Sequence, residues 1–173
     1  MDSEELQKIV TAIVENRRHN NARPFELLDS IQRRRFPADC FPILEPLLHA
    51  KDGVTCKYAI TIIGKLKQPP AEASTAIEAA WERSWEHGVP QACEEAFRAL
   101  LRIGHNDERL LRMVDKAMNV DNYGIHKECA MTLMQVTGGD TILSRWSETD
   151  AGKCDCHLHK KLADKITAHL NAG

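Results

Sequence analysis

The feature that most constrains the fold of this chain is a repeat in its middle part. A glycine followed by a branched apolar residue recurs about every 35 residues, at Gly53-Val54, Gly88-Val89 and Gly124-Ile125. Each of these openings leads into an apolar run with helical spacing that closes on another glycine, at Gly64, Gly104 and Gly138. A period of this length with helical patterning and no strand signal is typical of stacked helix pairs.

Within each repeat, apolar residues recur in steps of four, which places them on one face of a helix. Counted from Val54, Val89 and Ile125, these residues are Tyr58 and Ile62, Cys93 and Phe97, and Cys129 and Leu133. We therefore expect these side chains to face the core.

Helical patterning continues on both sides of the repeats, from the first residues to the last. The predicted fold class is all-α, an α-α superhelix of about five antiparallel helix pairs joined by short connections. The whole chain, residues 1–173, is predicted to be one domain. Its N-terminal helices occupy 1–50, the three repeat units 51–138 and the C-terminal capping helices 139–173.

The first repeat carries the clearest family pattern. An apolar helix containing Phe41 and Leu44 precedes the turn Asp52-Gly53-Val54, and Ala59 and Ile63-Gly64 follow. This order resembles the HEAT-repeat (armadillo-type) family, and the resemblance implies an α-helical solenoid that holds a partner. The chain departs from the family pattern after the valine, where an arginine often stands, because it has Thr55, Pro90 and His126 at those places.

Charge and hydropathy favour a cytoplasmic protein. The formal net charge is −2 and the pI is about 6.4, which argues against a dedicated nucleic-acid binder. The sequence has no apolar run near the length of a membrane span, and its first residues are acidic where a signal peptide is basic. In that compartment Cys56, Cys93 and Cys129 are expected to be small buried hydrophobes and not disulfides.

The segment 71–86 carries two stripes with four-residue spacing. Glu78, Glu82 and Glu86 form one stripe, and the other is Ile77, Trp81 and Trp85. One interpretation is a solvated acidic face opposite a tryptophan core. The other is a contact surface for a basic protein, formed by Glu78, Trp81, Glu82, Trp85 and Glu86, because tryptophan is enriched at interface hot spots.

Basic residues form two further candidate sites. Arg98, Arg102, His105, Arg109 and Arg112 occupy two consecutive predicted helices, and Arg33-Arg34-Arg35 is a second patch. Arginine suits phosphate contacts, so nucleic-acid binding through Arg98, Arg102, Arg109 and Arg112 is the alternative function. Acidic residues interleaved with the first set, and the negative net charge, argue against it.

A cluster near the C-terminus contains two thiols and two imidazoles, Cys154, Cys156, His157 and His159. These are ligand types that zinc prefers, although paired cysteines in structural zinc sites usually have at least two residues between them. A competing interpretation makes Asp155 a helix N-cap and leaves both histidines in solvent. The spacing therefore favours the absence of a metal and of any cofactor.

No catalytic motif of the common hydrolase, nucleotide-binding or metalloprotease kinds occurs. The sequence thus predicts a protein that is not an enzyme and that binds, and by analogy neutralises, a partner protein. Small acidic α-solenoids of this kind are similar to bacterial toxin-immunity proteins, whose targets are often basic nucleases. The alternative, also taken from the family resemblance, is a nucleic-acid-binding protein such as a base-repair DNA glycosylase.

Overall fold

The computed structural model describes residues 3–18, 24–86, 91–104 and 108–172. Helices account for most of these residues, and no β-strand occurs among them, so the chain is all-α as predicted. None of the helices in these ranges is long and apolar enough to cross a membrane. The repeat opening at Gly88-Val89 and the basic residue His105 lie outside the described residues, as does the side chain of Cys93.

The chain divides into two compact units, Met1–Gly104 and His105–Gly173. The boundary falls inside the predicted repeat region 51–138, and the organisation into a single domain remains a prediction.

The first unit contains six α-helices in its described part: α1 (Ser3–Arg18), α2 (Pro24–Gln32), α3 (Phe41–Leu48), α4 (Gly53–Ile63), α5 (Glu72–Glu86) and α6 (Gln91–Arg102). A short 3-10 helix, Ala38–Cys40, precedes α3. Helices two positions apart in the chain pack on one another. Thus α1 packs on α3 and α3 on α5, and likewise α2 packs on α4 and α4 on α6. Large apolar side chains such as Leu44, Ile60 and Phe97 fill the space between these two sets.

The second unit contains four α-helices among its described residues: α7 (Glu108–Met118), α8 (Tyr123–Leu133), α9 (Gly139–Ser147) and α10 (His157–Leu170). Here α7 packs on α8 and α9, and α10 packs on α8 and α9. Leu110, Cys129, Leu143 and Ile166 have no exposed surface and form its core.

Helix caps, not glycines, set the register of the repeat. The side chain of Asp52 accepts a hydrogen bond from the backbone N–H of Thr55 at the start of α4, and Asn122 does the same for Ile125 at the start of α8. Counted from each cap, the third, fourth, seventh, eighth, tenth and eleventh residues are buried in both helices. The structural equivalent of Ile125 is therefore Thr55.

For α4 the prediction is therefore only partly confirmed. Ile62 and Cys56 are buried as expected, but Tyr58 is half-buried and Val54, from which the face was counted, is 36% exposed. Gly53 is the first residue of α4, whereas Gly124 is the second residue of α8. An alignment of the two helices on these glycines is therefore wrong by one position. For α8 the prediction is confirmed, since Ile125, Cys129 and Leu133 are all buried.

The closing glycines are required for two different reasons. Gly104 and Gly138 adopt positive φ angles of 80° and 86°, a conformation that side chains with a Cβ disfavour. Gly64 has an ordinary helical φ of −64°. Its constraint is contact, because a Cβ at this position would lie 2.5 Å from the Cβ of Ala99 on α6.

Candidate functional site

Helix α5 presents its predicted acidic stripe on the side opposite its core contacts. The residues buried against the first unit are Ala73, Ile77, Ala80, Trp81 and Ser84. Glu82 and Glu86 are exposed, and Glu78 is half-buried at the margin of the same side. We refer to Glu78, Glu82 and Glu86 as the acidic ridge.

The two tryptophans predicted to contact a partner have different environments. Trp81 is 1% exposed, and its ring packs against Phe97 of α6 at a centroid distance of 6.2 Å. Trp85 stacks on Trp81 at 5.4 Å and remains half-buried, so that part of its ring reaches the surface. Trp81 belongs to the core in this structure, and of the two rings only that of Trp85 is available to a partner.

A groove lined by α5 contains acidic and basic side chains. It has a volume of about 230 Å³ between α3 and α5 and contains the carboxylates of Glu45 and Glu72. Leu48 and Ala76 contribute apolar surface, and Arg83 also lines the groove.

The predicted arginine set is divided between the two units. Arg98 and Arg102 belong to the first unit, and Arg109 and Arg112 to the second. Arg98 is engaged within its own helix, where its Nη1 lies 2.9 Å from Oε1 of Glu95. Glu95 is 9% exposed, and its other oxygen accepts a hydrogen bond from the hydroxyl of Thr61 at 3.1 Å. This arrangement gives Arg98 a structural role.

A basic cleft of about 440 Å³ was not anticipated from the sequence. Among the residues that the structure describes, five cationic side chains and no acidic one line it: Arg33, Arg35, Lys65, Lys67 and Arg102. They meet because α2, α4 and α6 pack in succession and end close together, each followed or terminated by basic residues. The Nζ of Lys65 donates to the carbonyl oxygen of Gln32, the last residue of α2, at 3.0 Å.

The basic cleft has a structural explanation as well as a functional one. Cations near helix C-termini interact favourably with the partial negative charge of the unpaired carbonyls there. In the sequence, basic residues stand at or just after the ends of three helices. Whether their side chains meet in one cleft depends on which helices pack together.

In the second unit the structure brings together three of the four candidate metal ligands. The ligand atoms of Cys154, Cys156 and His159 all lie within 4.8 Å of one another. Cys156 is the N-cap of α10 and His159 stands one turn later, so that Nδ1 of His159 lies 3.1 Å from Sγ of Cys156. Cys154 lies in the preceding loop, where its Sγ accepts a hydrogen bond from the N–H of Cys156 at 3.4 Å. His157 is exposed and is not part of this group.

Two expectations about this segment are wrong. Cys156, and not Asp155, occupies the N-cap position of α10. His159 is half-buried and not solvated, because its ring contacts the edge of Tyr123 and lies against His126. An extended backbone at Cys156, with φ −63° and ψ 141°, allows the two closely spaced thiols to approach the same histidine.

His126 completes the group and was not identified from the sequence. Its Nδ1 lies 3.3 Å from Nε2 of His159, and its ring packs edge-on against Trp146. The side chain is 1% exposed, and this burial lowers the pKa of His126 although hydrogen bonds with the backbone of Val120 and Met118 oppose the shift. The ring is thus neutral near pH 7. Its position in α8 is equivalent to that of Cys56 in α4, so the pattern predicts only a core residue.

The thiols differ in acidity. The N–H group of His159 at the start of α10 lowers the pKa of Cys156, and the neighbouring Cys154 thiol acts in the same direction. The Cys156 N–H lowers the pKa of Cys154, but the Cys156 thiol, partial desolvation and the charge of Asp155 together raise it above its usual value. Cys156 is therefore the more easily ionised sulfur.

An open cleft of about 480 Å³ adjoins these residues within the second unit. Cys154, His126 and His159 line it, together with the carboxylates of Asp121 and Asp150. The remaining lining comes from the end of α7 and from the loop before α10, through Met118, Asn119, Val120, Thr149 and Ala151.

Compared with known proteins, the chain matches no protein-family model, no curated protein and no solved structure.

Proposed function

We propose that this protein is a non-catalytic binding module that captures a basic partner protein through the acidic ridge of α5. The observation that supports this proposal is the alignment of Glu78, Glu82 and Glu86 beside the partly accessible ring of Trp85. Like charges at four-residue spacing cost a helix about 0.2–0.5 kcal/mol per pair. An aromatic ring beside carboxylates is a suitable contact for lysine or arginine side chains.

The groove between α3 and α5 adds two carboxylates on the same helix pair, Glu45 and Glu72, which Arg83 offsets in part. Complementary charge speeds the association of protein partners, and the ridge is therefore the main support for a basic partner. More specifically, we propose that the protein neutralises a basic toxin, as bacterial immunity proteins do. The negative charge of the ridge, complementary to such a toxin, supports this proposal, and we expect the protein to act in the cytoplasm.

We further propose that the helices form a HEAT-like superhelix of antiparallel pairs. In each unit alternate helices contact one another, as α1, α3 and α5 do, which is the contact pattern that stacked helix pairs produce. The shared burial register of α4 and α8 is consistent with two copies of the same repeat. A solenoid of this kind commonly offers one layer of helices to a partner.

The ridge proposal predicts that the double variant Glu82→Lys/Glu86→Lys loses the partner. Because both side chains are exposed, we expect the variant to fold as wild type does and its affinity to fall by about tenfold or more, equivalent to about 1.4 kcal/mol. The measurement is capture of a basic protein from a lysate of the native host, followed by titration of the purified pair by calorimetry.

The matched control for this variant is Glu108→Lys/Asp164→Lys, which changes the net charge equally at two exposed positions of the second unit. We expect the control to bind almost normally. Equal losses of affinity in both double variants would show that binding depends only on the net charge of the protein. Unchanged affinity in the ridge variant would exclude the ridge as the contact.

The basic cleft favours a second candidate function, the binding of nucleic acid by the first unit. Five cations that line one cleft form an attractive site for phosphate groups. This candidate moves the predicted interface away from Arg98, which Glu95 engages, and from Arg109 and Arg112, which do not line the cleft.

For this candidate we expect DNA or RNA oligonucleotides to bind at low salt, with an affinity that falls steeply as salt rises. The variant Arg33→Glu/Lys67→Glu would abolish this binding because it reverses two exposed charges in the cleft. The control Arg109→Glu/Arg112→Glu would retain it. Fluorescence anisotropy across a salt series measures both, and an absence of binding at low salt would eliminate this function.

A further inference from the structure

The thiol and imidazole cluster of the second unit is not used by the proposed binding of a partner or a nucleic acid. We propose that Cys154, Cys156 and His159 bind a zinc ion, with a fourth coordination position that opens into the adjoining cleft. The proposal is independent of the acidic ridge, because the residues that carry it belong to another compact unit.

The spacing of the three ligand atoms fits a tetrahedral ion. With Zn–S bonds of about 2.3 Å and Zn–N bonds of about 2.0–2.1 Å, tetrahedral ligand atoms are roughly 3.5–3.8 Å apart. The three atoms here lie within 4.8 Å of one another, and Sγ of Cys156 is 3.1 Å from Nδ1 of His159. Small side-chain rotations would bring all three to bonding distance. Two thiolates and one imidazole also select zinc over the harder magnesium and calcium ions.

His126 acts as a positioning residue for this site. When Nδ1 of His159 faces the ion, its Nε2–H can donate to Nδ1 of His126, 3.3 Å away. This hydrogen bond fixes the tautomer and the ring orientation of the ligand, which is the usual role of groups behind a metal-bound histidine. The 1% exposure of His126 and the packing of Trp146 against it hold the acceptor in place.

The fourth position faces surroundings suited to a water molecule. Cys154 and His159 line the open cleft of about 480 Å³, in which Asp121 and Asp150 supply carboxylates. A zinc ion with three protein ligands and an accessible fourth site retains Lewis acidity toward such a molecule.

The test is a titration of the reduced, chelator-treated full-length protein with Zn²⁺ in the presence of a competing chromogenic chelator. We expect one ion per chain. Co²⁺ in place of Zn²⁺ should give the intense visible bands of tetrahedral coordination together with thiolate-to-cobalt absorption in the near ultraviolet.

Variants assign the ligands. Cys154→Ser/Cys156→Ser should abolish binding, whereas His157→Gln, at the exposed neighbour, should leave it unchanged. His126→Gln should weaken it by about 10–100-fold without altering the stoichiometry. Circular dichroism and thermal melts establish that each variant is folded, and Cys40, Cys56 and Cys129 remain as buried thiols throughout.

Three results would overturn the proposal. One is the absence of stoichiometric binding by the reduced protein, and another is full binding by the double cysteine variant. The third is a Co²⁺ complex without thiolate absorption, which would show that the ion binds elsewhere.

Discussion

Replacement of Trp81 by alanine is expected to lower the free energy of unfolding by about 3–5 kcal/mol, the usual cost of deleting a large buried aromatic side chain. Trp81 is 1% exposed and packs against both Trp85 and Phe97. The truncation leaves a cavity between α5 and α6 that the surrounding side chains fill only in part. Urea denaturation followed by circular dichroism measures the loss.

Trp85→Ala is the matched control, because it removes the same ring from the half-buried position one turn later on the same helix. We expect a smaller loss of stability than for Trp81→Ala, together with weaker capture of the basic partner. A variant pair with equal losses of stability would contradict the division into a core tryptophan and a surface tryptophan.

Gly64→Ala is expected to destabilise the first unit by about 1–3 kcal/mol, the range for overpacking a filled interior. The added methyl group would lie 2.5 Å from Cβ and 2.7 Å from Cα of Ala99, so α4 and α6 would have to separate. The φ angle of −64° suits alanine, and the cost is therefore entirely one of contact. Chemical denaturation of the full chain measures the change.

A double-mutant cycle separates this contact from general effects of the substitution. Ala99→Gly in the Gly64→Ala background should restore part of the stability, with a coupling of about 0.5 kcal/mol or more. Restoration stays partial because the Cα of residue 99 remains close. Gly104→Ala, where no atom of a described residue lies within 4 Å of the added group, should cost about 1–2 kcal/mol through its positive φ and show no coupling to Ala99→Gly. Absence of coupling at Gly64 would contradict the close approach of α4 and α6.

Local sequence signals predicted the secondary structure well, because a helix depends on the spacing of nearby apolar residues and on the capping residues, prolines and glycines at its ends. Pro24, a residue suited to a first helical position, starts α2, and the segment 71–86 with its two four-residue stripes corresponds to α5, Glu72–Glu86. These features require only information from neighbouring residues, which the sequence carries directly.

The glycine spacing does not determine the register of the repeats, because a glycine can stand at different places in the first turn of a helix. Gly53 and Gly124 look equivalent in the sequence, yet Asp52 and Asn122 are the residues whose side chains cap the helices. A one-residue shift rotates every side chain by about 100° around the helix axis, and it therefore exposes Val54 and buries Thr55. Alignment on the capping residue would have given the correct face.

The sequence by itself determined the helices, the identity of most core residues and the candidate side chains, because these follow from spacing along one chain. Tertiary structure alone decided which of those side chains meet. It joined Arg33 and Arg35 with Lys65, Lys67 and Arg102, since three helices that end together are far apart in sequence. It also set His126 of α8 behind His159 of α10 and buried Trp81 while leaving Trp85 partly accessible. Such groupings depend on how helices pack, and packing is a property of pairs of surfaces that no local pattern encodes.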